Sequence, residues 1–75
     1  MYFYIICEKT FFERFGEQID FELNLYDSDN INNLLSFMNN KLNINITKRM
    51  LYYAIKNNML IHNKYAIYKI KKWNK

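Results

Sequence analysis

The chain has 75 residues, of which 51% are hydrophobic, 19% aromatic and 24% charged, and its formal net charge is +4. A chain this short buries only about 60% of the surface that its unfolded form exposes, which excludes a multidomain enzyme with a deep cleft. The apolar content excludes global disorder, and the single cysteine excludes an internal disulfide.

Location and source are indicated by composition. No apolar run is long enough to span a membrane, and residues 1–7 lack the basic start of a signal peptide, so we expect a cytoplasmic protein with no membrane association. Ile, Lys, Asn, Phe and Tyr together supply 44 of the 75 residues, and A/T-rich codons encode all five. This bias indicates a low-GC bacterial host, or a phage or mobile element within one.

Charge is divided along the chain. All seven acidic residues fall within the first 29 positions, where the net charge is −5, and residues 30–75 contain nine bases and no acid. A segment of charge +9 predicts a surface for a polyanion, most commonly a nucleic acid. A solvated surface with a basic tail is the alternative interpretation.

The N-terminal third is predicted to form β-strands. Residues 2–7 are a continuous aromatic and β-branched run, which is typical of a strand buried in a sheet. Residues 19–26 alternate apolar and polar side chains, as a strand with one buried face does. Gly16 marks the tight turn between them. The sequence is consistent both with a β-hairpin and with two strands that flank a short turn.

Two helices are predicted next. Ile31, Leu34, Leu35, Met38 and Leu42 follow a cluster of N-cap residues at helical spacing. Thr47 is a plausible N-cap for a second helix that extends to about residue 58, with Met50, Leu51, Ala54 and Ile55 on one side. Asn45, Ile46 and Ala54 satisfy what a helix-turn-helix needs: a residue that tolerates positive φ, a core residue and a small residue at the crossing.

The C-terminal residues are predicted to form a β-hairpin that joins residues 59–61 with 65–70 through Asn63. The predicted fold class is therefore α+β: N-terminal β-strands, a helix-turn-helix and a C-terminal β-hairpin wing. A single domain would comprise an acidic β segment (1–26), the helix-turn-helix (28–60) and a basic wing and tail (61–73).

Residues 44–58 resemble the helix-turn-helix segments of small phage and mobile-element DNA-binding modules, with Asn45 in place of the usual turn glycine. The resemblance covers residues 31–70 and implies a regulator or recombination accessory factor that binds double-stranded DNA. The residues that it places on DNA are Lys48, Arg49, Tyr52, Tyr53, Lys56, Asn57, Lys64, Lys69, Lys71 and Lys72. Arg49 is the candidate for a base contact, because its planar fork can pair with guanine, and the lysines would bind phosphate.

Catalysis has little support in the sequence. The only histidine, His62, is predicted in a surface turn without a second ligand for a metal, and Cys7 is predicted in the core. Asp20 and Glu22 share a strand face, but nothing else converges on them. We therefore expect no enzyme activity, no cofactor and no metal.

Two further hypotheses concern partners. A helix-turn-helix protein usually doubles its contacts as a dimer, and the apolar N-terminal strand predicts a homodimer interface on Tyr2, Tyr4 and Ile6, unless that strand is the middle of a larger sheet. The alternative function is a phage anti-defence protein, such as an anti-CRISPR, which would bind a host nucleoprotein complex. This hypothesis rests on the acidic segment, which a simple DNA-binding module does not need.

Overall fold

The computed structural model describes residues 2–71, which form three strands and two helices. In chain order these are β1 (Tyr2–Arg14), β2 (Glu17–Ser28), α1 (Ile31–Lys41), α2 (Lys48–Lys56) and β3 (Tyr65–Lys71). The strands form one antiparallel sheet in the order β2-β1-β3. Neither helix in this part of the chain has the length and apolar character needed to cross a bilayer.

The core lies between the sheet and the two helices. Ile6 on β1, Leu34 and Met38 on α1 and Leu51 on α2 have no exposed surface. The helix α1 contacts β2 and β1, and α2 contacts β3, so both helices cover the same face of the sheet. Phe37, which lies off the apolar stripe of α1, stacks on Tyr26 of β2 with the ring centroids 4.6 Å apart. These contacts bury the apolar stripe of each helix, which is the main source of stability in so small a domain.

The predicted fold class is wrong: the protein is a three-stranded antiparallel sheet with two helices, and not a helix-turn-helix with an N-terminal hairpin and a C-terminal wing. The C-terminal residues do not form a separate hairpin wing after a helix-turn-helix. Instead, β3 is a single strand that pairs with β1 from Tyr2↔Lys71 to Glu8↔Tyr65. Only an isolated bridge, Ile61↔Tyr65, remains of the predicted hairpin. Pairing with β1 is favoured because it satisfies the second edge of an apolar strand and buries the first three residues of β3.

The helix ends follow local rules. The side chain of Asn30 accepts a hydrogen bond from the Asn32 amide, and Thr47 caps α2 in the same way for Met50. The cap at Thr47 confirms the predicted start of α2. The connection between the helices differs from the prediction, because Asn43 (φ 54°) takes the left-handed conformation that was expected at Asn45.

The outer part of the β1–β2 hairpin extends beyond the rest of the sheet. The pairing of β1 with β3 ends at Glu8↔Tyr65, followed by one hydrogen bond from the Lys9 amide to the Lys64 carbonyl at 2.7 Å. From Thr10 to Arg14, β1 pairs with β2 alone. We call residues 9–23 the arm. The turn at its tip uses Phe15 (φ 54°) and Gly16 (φ 77°), and Phe15 is 92% exposed. With about 3.3 Å per residue the arm projects roughly 20 Å from the packed body.

Candidate nucleic-acid interface

The second helix presents most of the predicted DNA-binding residues to solvent. Its N-terminal turn begins at Lys48, and the side chains of Lys48, Tyr52 and Lys56 recur every four residues along one exposed line. Arg49 and Tyr53 lie beside this line and are also exposed. The opposite side of α2 is held in the core by Leu51 and Ala54, so the orientation of the exposed side is determined by packing.

Strand β3 brings further lysines to the same side. Lys69 and Lys71 lie two and four positions after the core residue Ile67, so they point to the same face of the sheet, the one that the helices cover. The ammonium of Lys69 lies over the ring of Tyr2, 4.2 Å from its centroid. A groove of about 630 Å³ separates α2 from β3, and Lys56 and Lys69 both line it.

These residues form one cationic surface, which we call the basic face. Its members are Lys48, Tyr52, Lys56, Lys69 and Lys71. Besides Tyr52, Lys56 and Lys69, the described lining of the groove contains no carboxylate and consists of Ile55, Asn58, Ile67, Tyr68 and Ile70. Since four of the five members are lysines and none is buried, the basic face can hold phosphate oxygens without desolvating a charge.

Two predicted residues are engaged elsewhere. Lys64 lies at the base of the arm, where its ammonium is 3.7 Å from the Glu8 carboxylate and 5.0 Å from the centroid of the Tyr65 ring. Contact with Tyr65, and secondarily with Glu8, raises the pKa of Lys64. Asn57 closes the end of α2, because its side-chain amide donates to the Tyr53 carbonyl at 2.9 Å. The predicted contact at Lys72 lies outside the described residues.

Arg49 and Tyr53 border a second, mainly apolar groove of about 420 Å³. Its apolar lining comes from the helix connection, α2 and the segment before β3: Ile44, Ile46, Met50, Met59 and Leu60. Met50 is 54% exposed, although the sequence placed it on the buried side of α2. The groove lies beside the basic face and shares α2 with it, so Arg49 is accessible from both.

The predicted dimer interface needs correction. From Tyr4 to Glu8, β1 is the central strand of the sheet and pairs along both edges, so this part of the strand has no free edge for a second copy. Tyr4 and Ile6 lie in the core, and only Tyr2 of the three predicted residues is exposed. This arrangement matches the competing interpretation, in which the N-terminal strand is the middle of the sheet.

The open face of the sheet carries a small polar cluster around Cys7 and Glu22. The thiol of Cys7 donates to the Asn24 side-chain oxygen at 3.0 Å, and burial raises the pKa of Cys7. The hydroxyl of Tyr68 donates to Glu22 at 2.5 Å, and this hydrogen bond raises the pKa of Tyr68. Lys9 pairs with the same carboxylate at 3.5 Å. Within residues 2–71 no group of three histidine, cysteine or carboxylate side chains is placed to hold a metal ion.

Sequence reasoning missed the arm as a surface. The alternation of residues 19–25 was read as a strand with one buried face, yet Ile19, Phe21 and Leu23 are 40–57% exposed because no helix reaches them. The signal that points to the arm is the placement of four of the six phenylalanines and four of the seven acids within residues 11–22. Local periodicity does not say which apolar faces remain uncovered.

Comparison with protein-family models, with curated proteins and with solved structures found no match. The resemblance to small phage DNA-binding modules therefore stays a prediction.

Proposed function

We propose that this protein binds double-stranded DNA through the basic face. The observation that carries the proposal is the convergence of two elements that are distant in sequence. Lys56 of α2 and Lys69 of β3 line one groove, in a part of the chain that contains no acid after residue 29. The acids lie on β1, β2 and the residues just after β2, which leaves the potential of the helix and β3 side uncompensated.

The chemistry assigned to each residue follows from its side chain. Lys48, Lys56 and Lys69 neutralise phosphates and release the counterions that surround DNA. Arg49 is exposed in the first turn of α2, and its guanidinium can pair with the O6 and N7 atoms of guanine when α2 lies in the major groove. Tyr52 lies between Lys48 and Lys56 on the helix and packs against the sugar-phosphate backbone. The proposal depends on the exposed side of α2 and on β3, and needs no wing.

The salt dependence of binding tests the proposal. Fluorescence polarisation of a labelled 20-base-pair duplex would be followed from about 50 to about 300 mM salt. If four or five phosphates are neutralised, the logarithm of the association constant falls with the logarithm of the salt concentration with a slope of about −4. Absence of binding at the lowest salt concentration would refute the proposal.

A matched pair of variants locates the interface. Lys56→Gln should weaken binding and make the slope less steep by about one, because one phosphate contact is lost. Lys64→Gln removes the same charge from a residue that is occupied by Glu8 and Tyr65, so the slope should stay unchanged. Equal effects of the two variants would show that net charge acts without a defined face.

The test also separates the alternative function. A protein that shows no affinity for duplex DNA, but retains one host protein through nuclease treatment of a lysate, would instead fit the inhibitor of a host nucleic-acid enzyme. In that case Lys56→Gln and Lys64→Gln should both be without effect on duplex DNA, because neither wild type nor variant binds it.

A further inference from the structure

The arm carries an apolar strip on the side of the sheet that bears the helices. Phe12 lies on the same face of β1 as Ile6, and its cross-strand neighbours on this face are Ile19 and Phe21. The rings of Phe12 and Phe21 meet edge to face with centroids 5.5 Å apart. We call Phe12, Ile19, Phe21 and Leu23 the arm strip; all four are 40–57% exposed. The strip continues the line of the core past the point where the helices end.

The apolar groove beside α2 is the second uncovered apolar surface. Met50, Tyr53, Met59 and Leu60 line it and are each 41–61% exposed. Neither surface is covered within the described chain, and contiguous apolar areas of this kind mark interaction sites. The two surfaces differ in charge, which indicates how they can be combined.

Charge favours contact between the arm and the groove. The arm has four acids, Glu13, Glu17, Asp20 and Glu22, against two bases, Lys9 and Arg14. The groove has Arg49 at its border and no carboxylate among its described lining residues. Only Glu17 and Arg14 lie on the face of the arm strip, and the other three acids lie on the opposite face. Charge therefore acts through the net −2 of the arm, which disfavours two arms placed face to face and favours an arm beside Arg49.

Area points to a reciprocal arrangement. A fully exposed aromatic or large aliphatic side chain has an accessible area of up to about 200 Å². The four half-exposed side chains of the arm strip, or of the groove, therefore expose about 350 to 400 Å² together. Arm strip against arm strip would bury only about 700 Å² in total, which is below the 1,200 Å² or so of a stable interface. Two arms that each occupy the groove of the other copy would bury about 1,500 Å², which is a standard interface.

We infer that the protein forms a twofold dimer by exchange of arms, in which the arm strip of each copy fills the apolar groove of the other. The reciprocal contact closes on itself, whereas a one-way contact would continue into a filament. This inference does not depend on DNA binding. In this dimer Arg49 would lie between the exchanged arm and the basic face. Lys48, Lys56 and Lys69 do not line the apolar groove, so they would stay accessible.

Light scattering of the full chain in the absence of DNA provides the first test. At a chain concentration of about 100 μM we expect twice the 9.3 kDa mass of one chain, because interfaces of this area have micromolar or lower dissociation constants. Phe21→Gln and Met50→Gln should each weaken dimerisation at least tenfold. Phe11→Gln and Tyr52→Gln are matched controls, because Phe11 is 62% exposed on the opposite face of the arm and Tyr52 faces the β3 side of α2.

A double variant provides the second test. If the arm strip of one copy fills the groove of the other, Phe21→Gln and Met50→Gln disrupt the same contact. The double variant should then weaken dimerisation by less than the product of the two single effects. If a variant fails to fold by circular dichroism, Leu23→Gln and Leu60→Gln replace the two substitutions on the same surfaces.

Each other outcome overturns the inference. A monomer at about 100 μM would rule out a dimer of the expected strength. A dimer that is weakened by Phe21→Gln but not by Met50→Gln would be an arm-to-arm contact. A dimer that responds equally to Phe11→Gln would involve a different face of the arm. Fully multiplicative effects of Phe21→Gln and Met50→Gln in the double variant would place the two side chains in separate contacts.

Discussion

Removing the arm should leave the body of the protein folded. The variant replaces residues 10–21 by Asn-Gly, which joins the paired residues Lys9 and Glu22 through a two-residue hairpin turn. None of the twelve residues removed is buried, and every member of the core cluster lies outside them. The variant therefore separates the contribution of the arm from that of the packed sheet and helices.

The magnitude follows from what the arm contributes. The Phe12–Phe21 ring contact is worth about 0.5 to 1.5 kcal/mol, and the remaining cross-strand pairs about 0.2 to 1 kcal/mol each. About one ladder hydrogen bond for each of the five pairs removed adds about 0.5 to 1.5 kcal/mol each. The conformational entropy cost of ordering twelve residues, about 1 kcal/mol or more for each, is removed at the same time. Each total is roughly 10 kcal/mol and the two oppose each other, so we expect the free energy of unfolding to change by less than about 3 kcal/mol.

Urea denaturation followed by far-ultraviolet circular dichroism measures this change. The truncated chain should unfold in one cooperative transition, bind DNA with the salt slope of the wild type and be monomeric. A decrease of about 3 kcal/mol or more, or loss of the cooperative transition, would refute the reasoning, because it would mean that the arm supports the core. A truncated chain that remains dimeric would refute the arm exchange alone.

Four further predictions concern single residues. Leu51→Ala should lower the free energy of unfolding by about 2 to 5 kcal/mol in urea denaturation, whereas Tyr52→Ala, on the exposed side of the same helix, should change it by less than about 1 kcal/mol. Thr47→Ala should cost about 1 kcal/mol by removal of the cap of α2, and Thr47→Ser should restore most of it in the same assay. Gly16→Ala should destabilise the hairpin by about 1 kcal/mol, although the site has space for a methyl group, because φ is +77°; a stability equal to the wild type would contradict this. Burial raises the folded-state pKa of Cys7 above its ordinary value of 9.0, so its stabilising effect is complete below that pH and is lost as the pH rises through the raised value. Thiol titration should accordingly show slow reaction at pH 8 that becomes fast in denaturant.

Several local features of this chain are determined by its sequence alone. The cap at Thr47 and the apolar stripes of Ile31–Lys41 and Lys48–Lys56 depend on residues within a few positions of each other, so both helices can be predicted closely. The turn at Gly16 and the strand character of residues 2–7 follow in the same way. The division of charge is also a property of the sequence, and it predicts that the cationic side chains of the candidate interface lie after residue 29.

The pairing of the strands was decided only in the tertiary structure. The pattern of residues 65–70 predicts a strand, but periodicity contains no information about whether its partner is residues 59–61 or β1. The apolar β1 requires a neighbour on both edges, and once β3 fills the second edge, Tyr4 and Ile6 become core instead of interface. The same long-range competition leaves the arm without a helix above it, so the apolar face that alternation predicted for Ile19–Leu23 is exposed to solvent. Burial depends on which elements pack over a face, and the position of those elements is set by contacts between residues far apart in the chain.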